Sequence, residues 1–157
     1  MAGGQRQEDP VISFDTNILF FAYASDRPEH AMAKEFLDGQ SRAADVVLCE
    51  FVLIEFYRLL RNPAVLTKPL NPGEAASVID AWRSHPTWRI AGFTADSRKV
   101  HDELWKHAGQ TGFAARRIFD ARLALVLRDF GVTEFATANV KDFQGFGFKK
   151  VWNPLEE

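Results

Sequence analysis

Cysteine is almost missing from this chain: Cys49 is the only one in 157 residues. One thiol cannot build a disulfide framework, so a reducing compartment, the cytoplasm, is the expected location. No run approaches the ~18 apolar residues that a membrane span requires, and no membrane association is expected. The stretch Met1 to Pro10 is polar and lacks the apolar core of a signal peptide. It is expected to be a loose leader ahead of one domain over residues 11–157. A basic excess is lacking as well, since 19 Lys and Arg face 21 Asp and Glu, a net charge of −2. That balance excludes a generally basic nucleic-acid coat and leaves only a local patch for a polyanion. Internal repeats and low-complexity tracts are missing too. His30, His85, His101 and His107 are scattered without the spacing of metal ligands.

What is present is apolar and aromatic. Hydrophobic residues make up 46% of the chain, with 14 Phe and 4 Trp, enough for a sizeable core. Val11-Ile12-Ser13-Phe14 reads as a buried strand. Asp15-Thr16-Asn17 then turns it into a helix over 18–24. Further helices are expected at 29–38, closed by Gly39, and at 49–61, closed by Asn62-Pro63. Others are expected at 74–83 and at 96–107, the latter with Val100, Leu104 and Trp105 inward. A long one is expected at 113–130, stopped by Gly131. Strands are expected at 46–48, 88–90 and 133–137, and at the edge at 149–152. Strands alternating with helices predict an α/β fold with a mostly parallel sheet covered on both faces.

Three acidic positions do not fit this apolar pattern. Asp15 sits at the carboxyl end of a strand, where open α/β sheets hold their ligands; it would also serve as a helix N-cap. Glu55 shares a helix face with Phe51, Val52 and Leu59, and an ion pair with Arg58 would explain it equally. Asp120 is followed at helical spacing by Leu123, Ala124 and Leu127, with Arg116 and Arg117 as alternative partners. A buried carboxylate must be paired, protonated or bound to a cation. Thr137-Ala138-Asn139 and Asp142 follow a strand just as Asp15 does, so adjacent parallel strands would bring them to one cleft, unless they merely make a turn. Glu50 competes with Glu55, but its place in the first helical turn already suits an acid. Hard oxygen ligands without His or Cys favour Mg²⁺ or Mn²⁺ over zinc, and such an ion serves phosphodiester cleavage.

These residues resemble the PIN domain, and within it the VapC-type ribonuclease toxins of bacterial toxin–antitoxin pairs. The resemblance runs from about Val11 to Leu155. It rests on Phe14-Asp15-Thr16-Asn17-Ile18-Leu19, on Leu53 to Pro63 around Glu55, and on Phe119-Asp120-Ala121-Arg122-Leu123-Ala124. Gly131-Val132, Thr137-Ala138-Asn139, Asp142-Phe143 and Val151 to Leu155 follow in order. It implies a three-layer α/β/α sandwich, a homodimer, Mg²⁺- or Mn²⁺-dependent cleavage of RNA, and a VapB-type antitoxin. By position it implies Asp15, Glu55 and Asp120 as the site acids, with Asp15 and Asp120 on the metal. Thr16, Asn17, Thr137 and Asn139 would be second-shell or phosphate contacts. The chain departs from the family where Asn139 replaces an acid, and Asp142 is the candidate to supply the fourth carboxylate. Arg58, Arg61, Arg116, Arg117 and Lys141 flank the acids and would either grip phosphates or form a solvated, ion-paired rim. Two rival readings stand: a PIN-like module that binds RNA or protein but cuts poorly, and an aspartyl-phosphate phosphohydrolase. The latter generally has a second Asp where this chain has Asn17.

Overall fold

A computed structural model describes residues 9–40 and 45–156. The Met1–Glu8 part of the expected leader lies outside the described residues. Five strands form one all-parallel sheet. They are β1 (Val11–Phe14), β2 (Asp45–Cys49), β3 (Arg89–Ala91), β4 (Glu134–Ala136) and β5 (Lys150–Trp152). The spatial order is β3-β2-β1-β4-β5. The chain thus starts in the middle, winds outward on one side, and returns to the other side of β1. In such a sheet the crevice for a ligand opens where the winding reverses, at the carboxyl ends of β1 and β4.

Among the described residues six α-helices complete a three-layer α/β/α sandwich: α1 (Thr16–Tyr23), α2 (His30–Gln40), α3 (Glu50–Leu60), α4 (Pro72–Arg83), α5 (Ser97–Ala108) and α6 (Ile118–Asp129). α1 packs on α2 and α3, α3 on α4, and α5 on α6. None is long and apolar enough to cross a membrane. Local chemistry explains several starts. Asn71 and Glu74 form a reciprocal capping box on α4, with Pro72 in its first turn. Asp96 accepts from the Lys99 amide at 3.0 Å and caps α5. At the other end of a helix, Gly131 adopts φ of +86° just after α6, which a side chain would disfavour.

The strands are short and apolar because both faces of a parallel sheet are covered. Val46, Val47, Leu48 and Cys49 of β2 are fully buried. Phe14 meets Phe36 and Trp88 edge-on at 5.7 and 5.5 Å. On β4, Phe135 packs against Phe143 at 4.6 Å and stacks on Phe148 at 5.5 Å. The open edges are three residues each. β3 carries Arg89, paired to Asp45 at 3.0 Å. On β5 the Lys150 ammonium sits 4.2 Å over the Trp152 ring.

Three expectations change. α2 runs through Gly39 to Gln40, since glycine weakens a helix without forbidding it. The long helix begins at Ile118 rather than 113, because Ala114 is extended and Ala115–Arg117 form a tight 3₁₀ turn. Trp105 points outward, 62% exposed, because Val100 and Leu104, one turn apart, define the buried face of α5. Phe135→Ala should remove about 3–5 kcal/mol of stability, read as a lower urea midpoint at unchanged slope; a smaller loss would show that Phe143 and Phe148 close the gap.

Candidate active site

Asp15 is the first residue after β1 and the N-cap of α1, so both readings of its position hold at once. Its amide donates to Ala136 O at 2.8 Å, continuing the β1–β4 ladder by one step. Its carboxylate is held by three donors. Thr16 N donates to Oδ1 at 2.8 Å; Thr137 Oγ1 and Asn17 Nδ2 donate to Oδ2 at 2.7 and 3.3 Å. Thr137 is wholly buried, one residue past β4, and its Oγ1 also accepts from Asn139 N at 2.9 Å. Asn17 Oδ1 accepts from Ala138 N at 3.1 Å. The α1 start and the loop after β4 are thereby locked together around one carboxylate.

A cavity of about 770 Å³ opens over this network. It is lined by Asp15, Thr16, Asn17, Glu55, Asp120 and Asn139, together with Arg58, Arg122 and an apolar rim. Glu55 is not buried: half of its side chain faces solvent, and Oε1 pairs with Arg58 Nη2 at 3.3 Å. Asp142 does not line the cavity. Arg116 Nη1 reaches both of its oxygens at 3.4 Å, and Arg117 Nη2 donates to its backbone carbonyl at 3.0 Å. The arginines weighed as partners for Asp120 thus hold Asp142. Arg61 turns away to Tyr57, whose hydroxyl accepts from it at 3.3 Å. Lys141 is exposed. Arg122, Phe51, Ile54 and Phe119 line the cavity and were not singled out from the sequence. Their spacing held the signal: Phe51, Ile54, Glu55 and Arg58 share one helical stripe, and Phe119, Arg122 and Leu123 another.

The electrostatics are those of crowded acids. Burial pushes the Asp15 carboxyl above its ordinary value; hydrogen bonds from Thr137, Thr16 and Asn17 oppose the rise, and Asp142 adds to it. Asp120 is pushed up to about 6 by burial first, then by the charges of Asp15 and Asp142, with Arg116 and Arg117 in opposition. Burial also raises the Cys49 thiol, which leaves it a small hydrophobe rather than a nucleophile. Among the described residues no three His, Cys, Asp or Glu side chains stand ready as a metal cluster. The donor set nevertheless fits a hard divalent cation. The oxygens are carboxylate and amide, the kinds such a cation prefers, and among the described residues Asp15 and Asp120 face the same cavity without a cationic side chain paired to either.

The PIN domain family model matches residues 12–146. The chain belongs to the PIN domain family. This PIN domain is 47% identical over 145 residues to Ribonuclease VapC24 of Mycobacterium tuberculosis, covering 92% of this chain and 97% of that one. Its fold resembles the crystal structure of VapBC2 from Rickettsia felis bound to a promoter DNA fragment. There the TM-score is 0.66 at 18% identity, over 91% of this chain and 98% of that one. It also resembles Mycobacterium tuberculosis VapC20, a sarcin-ricin loop cleaving toxin. That match has a TM-score of 0.58 at 22% identity, over 79% of this chain and 86% of the other.

Because Asp120 takes up its proton near pH 6 in the folded state and lower when unfolded, the metal-free PIN domain should gain stability as pH falls through that range and lose it as pH rises. Asp120→Asn, neutral throughout, should therefore melt above the wild type at about pH 8 and approach it only at about pH 3, below both pKa values, with chelator present. Equal melting at both values would show that the crowding is relieved in solution.

Proposed function

We propose that this PIN domain is a metal-dependent endoribonuclease toxin, held in check by a cognate antitoxin. The observation that carries the reading is the buried Asp15 carboxylate, oriented by three donors at the sheet's reversal point and crowded by a second acid. The 47% identity to Ribonuclease VapC24 supports it. Asp15 and Asp120 would hold Mg²⁺ or Mn²⁺, which supplies Lewis acidity and charge neutralisation for in-line phosphodiester hydrolysis.

The chain's own residues set the stage. Thr137 and Asn17 fix the Asp15 oxygens so that little reorganisation is left when a cation and a phosphate arrive. Glu55 faces the same cavity from α3. On leaving Arg58 it would take a proton from an attacking water. Asn139 is an amide, able to orient a water through its carbonyl but adding no charge. Asp142 acts from behind, raising the proton affinity of both inner acids. It would complete the site as a fourth carboxylate only by releasing Arg116. Thr16 steadies the α1–α3 approach through its hydroxyl, which donates to Val52 O at 3.5 Å.

The reading carries further proposals: a cytoplasmic RNA substrate, a homodimer, and a VapB-type antitoxin that places a basic side chain among the acids. It also takes residues 11–157 as one nuclease domain. The alternative, a PIN-like module that binds but scarcely cuts, draws on Asn139 and on the pairing of Asp142. Calorimetric titration with Mn²⁺ separates the two, since a binding module need take up no metal.

Cleavage of structured RNA in Mg²⁺ or Mn²⁺ should cease with chelator and fall more than about a hundredfold in Asp15→Ala, beyond the cost of losing an outer contact. Equal cleavage by variant and wild type would overturn the role of Asp15. Thr137→Val keeps the shape but removes the donor, and should cost about 10–100-fold in activity or metal affinity. The purified antitoxin complex should be inactive; full activity in the complex would refute occlusion of the cleft.

A further inference from the structure

Arg122 is the unspent cation of the cleft. Arg58 is paired to Glu55, and Arg116 and Arg117 to Asp142. Arg122 lines the same cavity as Asp15 and Asp120, yet no hydrogen bond or ion pair engages it among the described residues, and its Nε is buried without a partner. What holds it is aromatic. Its guanidinium carbon lies 4.4 Å from the centre of the Phe51 ring and 5.9 Å from that of Phe119. A guanidinium laid on a ring keeps its edge donors directed outward, in the fork that matches a phosphate. Beside it Phe119 is 72% exposed, a large apolar ring left in solvent at the rim of the acid cavity.

We propose that Phe51, Arg122 and Phe119 form a nucleotide platform beside the acids, with Arg122 donating to a phosphate next to the scissile bond and Phe119 stacking on an unpaired base. The proposal rests on the ribonuclease reading and adds the residues beside the acids that would hold an unpaired strand. A stacked duplex keeps its base faces covered, whereas loops and single strands offer them to aromatic and arginine planes. A free guanidinium beside the acids suits a phosphate, which would lie between Arg122 and a cation held by Asp15 and Asp120.

The test uses the full chain in chelator, so that nothing is cut, and fluorescence anisotropy with a labelled unpaired RNA and its duplex form. The wild type should prefer the unpaired strand. Phe119→Ala should weaken that strand about tenfold and leave the duplex unchanged, and Phe119→Trp should retain binding. Arg122→Gln should lower the slope of affinity against salt by about one phosphate contact, and Arg122→Lys should keep the slope, which guards against a merely misfolded variant. Affinities within about twofold of wild type for Phe119→Ala and Arg122→Gln would overturn the platform. So would loss of antitoxin binding with RNA binding intact. If the wild type cuts, Asp15→Ala does not, and Phe119→Ala leaves KM unaltered, the platform fails and the ribonuclease reading stands. If the wild type does not cut but the platform variants lose the unpaired strand, the reverse holds.

Discussion

The two halves of this fold meet at a buried hydroxyl. Thr137 Oγ1 donates to the Asp15 carboxylate at 2.7 Å, across the point where the strand order reverses. β1 and β4 are distant in sequence and adjacent in space, so this bond forms only when the sheet is complete. The carboxylate in turn starts α1 through the Thr16 amide, and Asn17 reaches back to the amide of Ala138. Strand end, helix start and following loop are therefore one unit. A burial that favours a protonated acid is partly opposed by these donors, and the oxygens keep a fixed direction.

Around that unit, charge is partitioned rather than neutralised. The arginines of the turn before α6 bind Asp142 and spare Asp120. Arg58 takes Glu55. The two innermost acids are left facing the cavity without a cation of their own, and each raises the proton affinity of the region. Such crowding weakens the fold while the acids are charged, a cost common to sites that bind charged ligands.

Much of this was legible from residue order. The run Val11–Phe14 ended by Asp-Thr-Asn gave away a buried strand turning into a helix, because parallel strands read as continuous apolar runs. The order of strands and helices was legible for the same reason. Gly39 misled because a helix tolerates glycine, and residue 113 misled because a run of alanine and arginine, both good helix formers, does not reveal a 3₁₀ turn. The acids stood out as charges on apolar faces, yet the sequence could not say which arginine would choose which acid. Arg116 and Arg117 are one turn from Asp120, but the loop after β4 brings Asp142 within their reach, a long-range effect of strand pairing. Arg122 was passed over because its partners are rings, Phe51 on α3 and Phe119 one turn back on α6, and not charges.

The sheet's two open margins share one property. Each is a three-residue strand bearing a long cationic side chain, Arg89 tied to Asp45 on one margin and Lys150 laid on Trp152 on the other. A foreign strand seeking to add there would find too few free amides and carbonyls and would have to displace a positive charge. Copies crowded together thus have little opportunity to zip into fibrils, and encounters between them are diverted to helical surfaces.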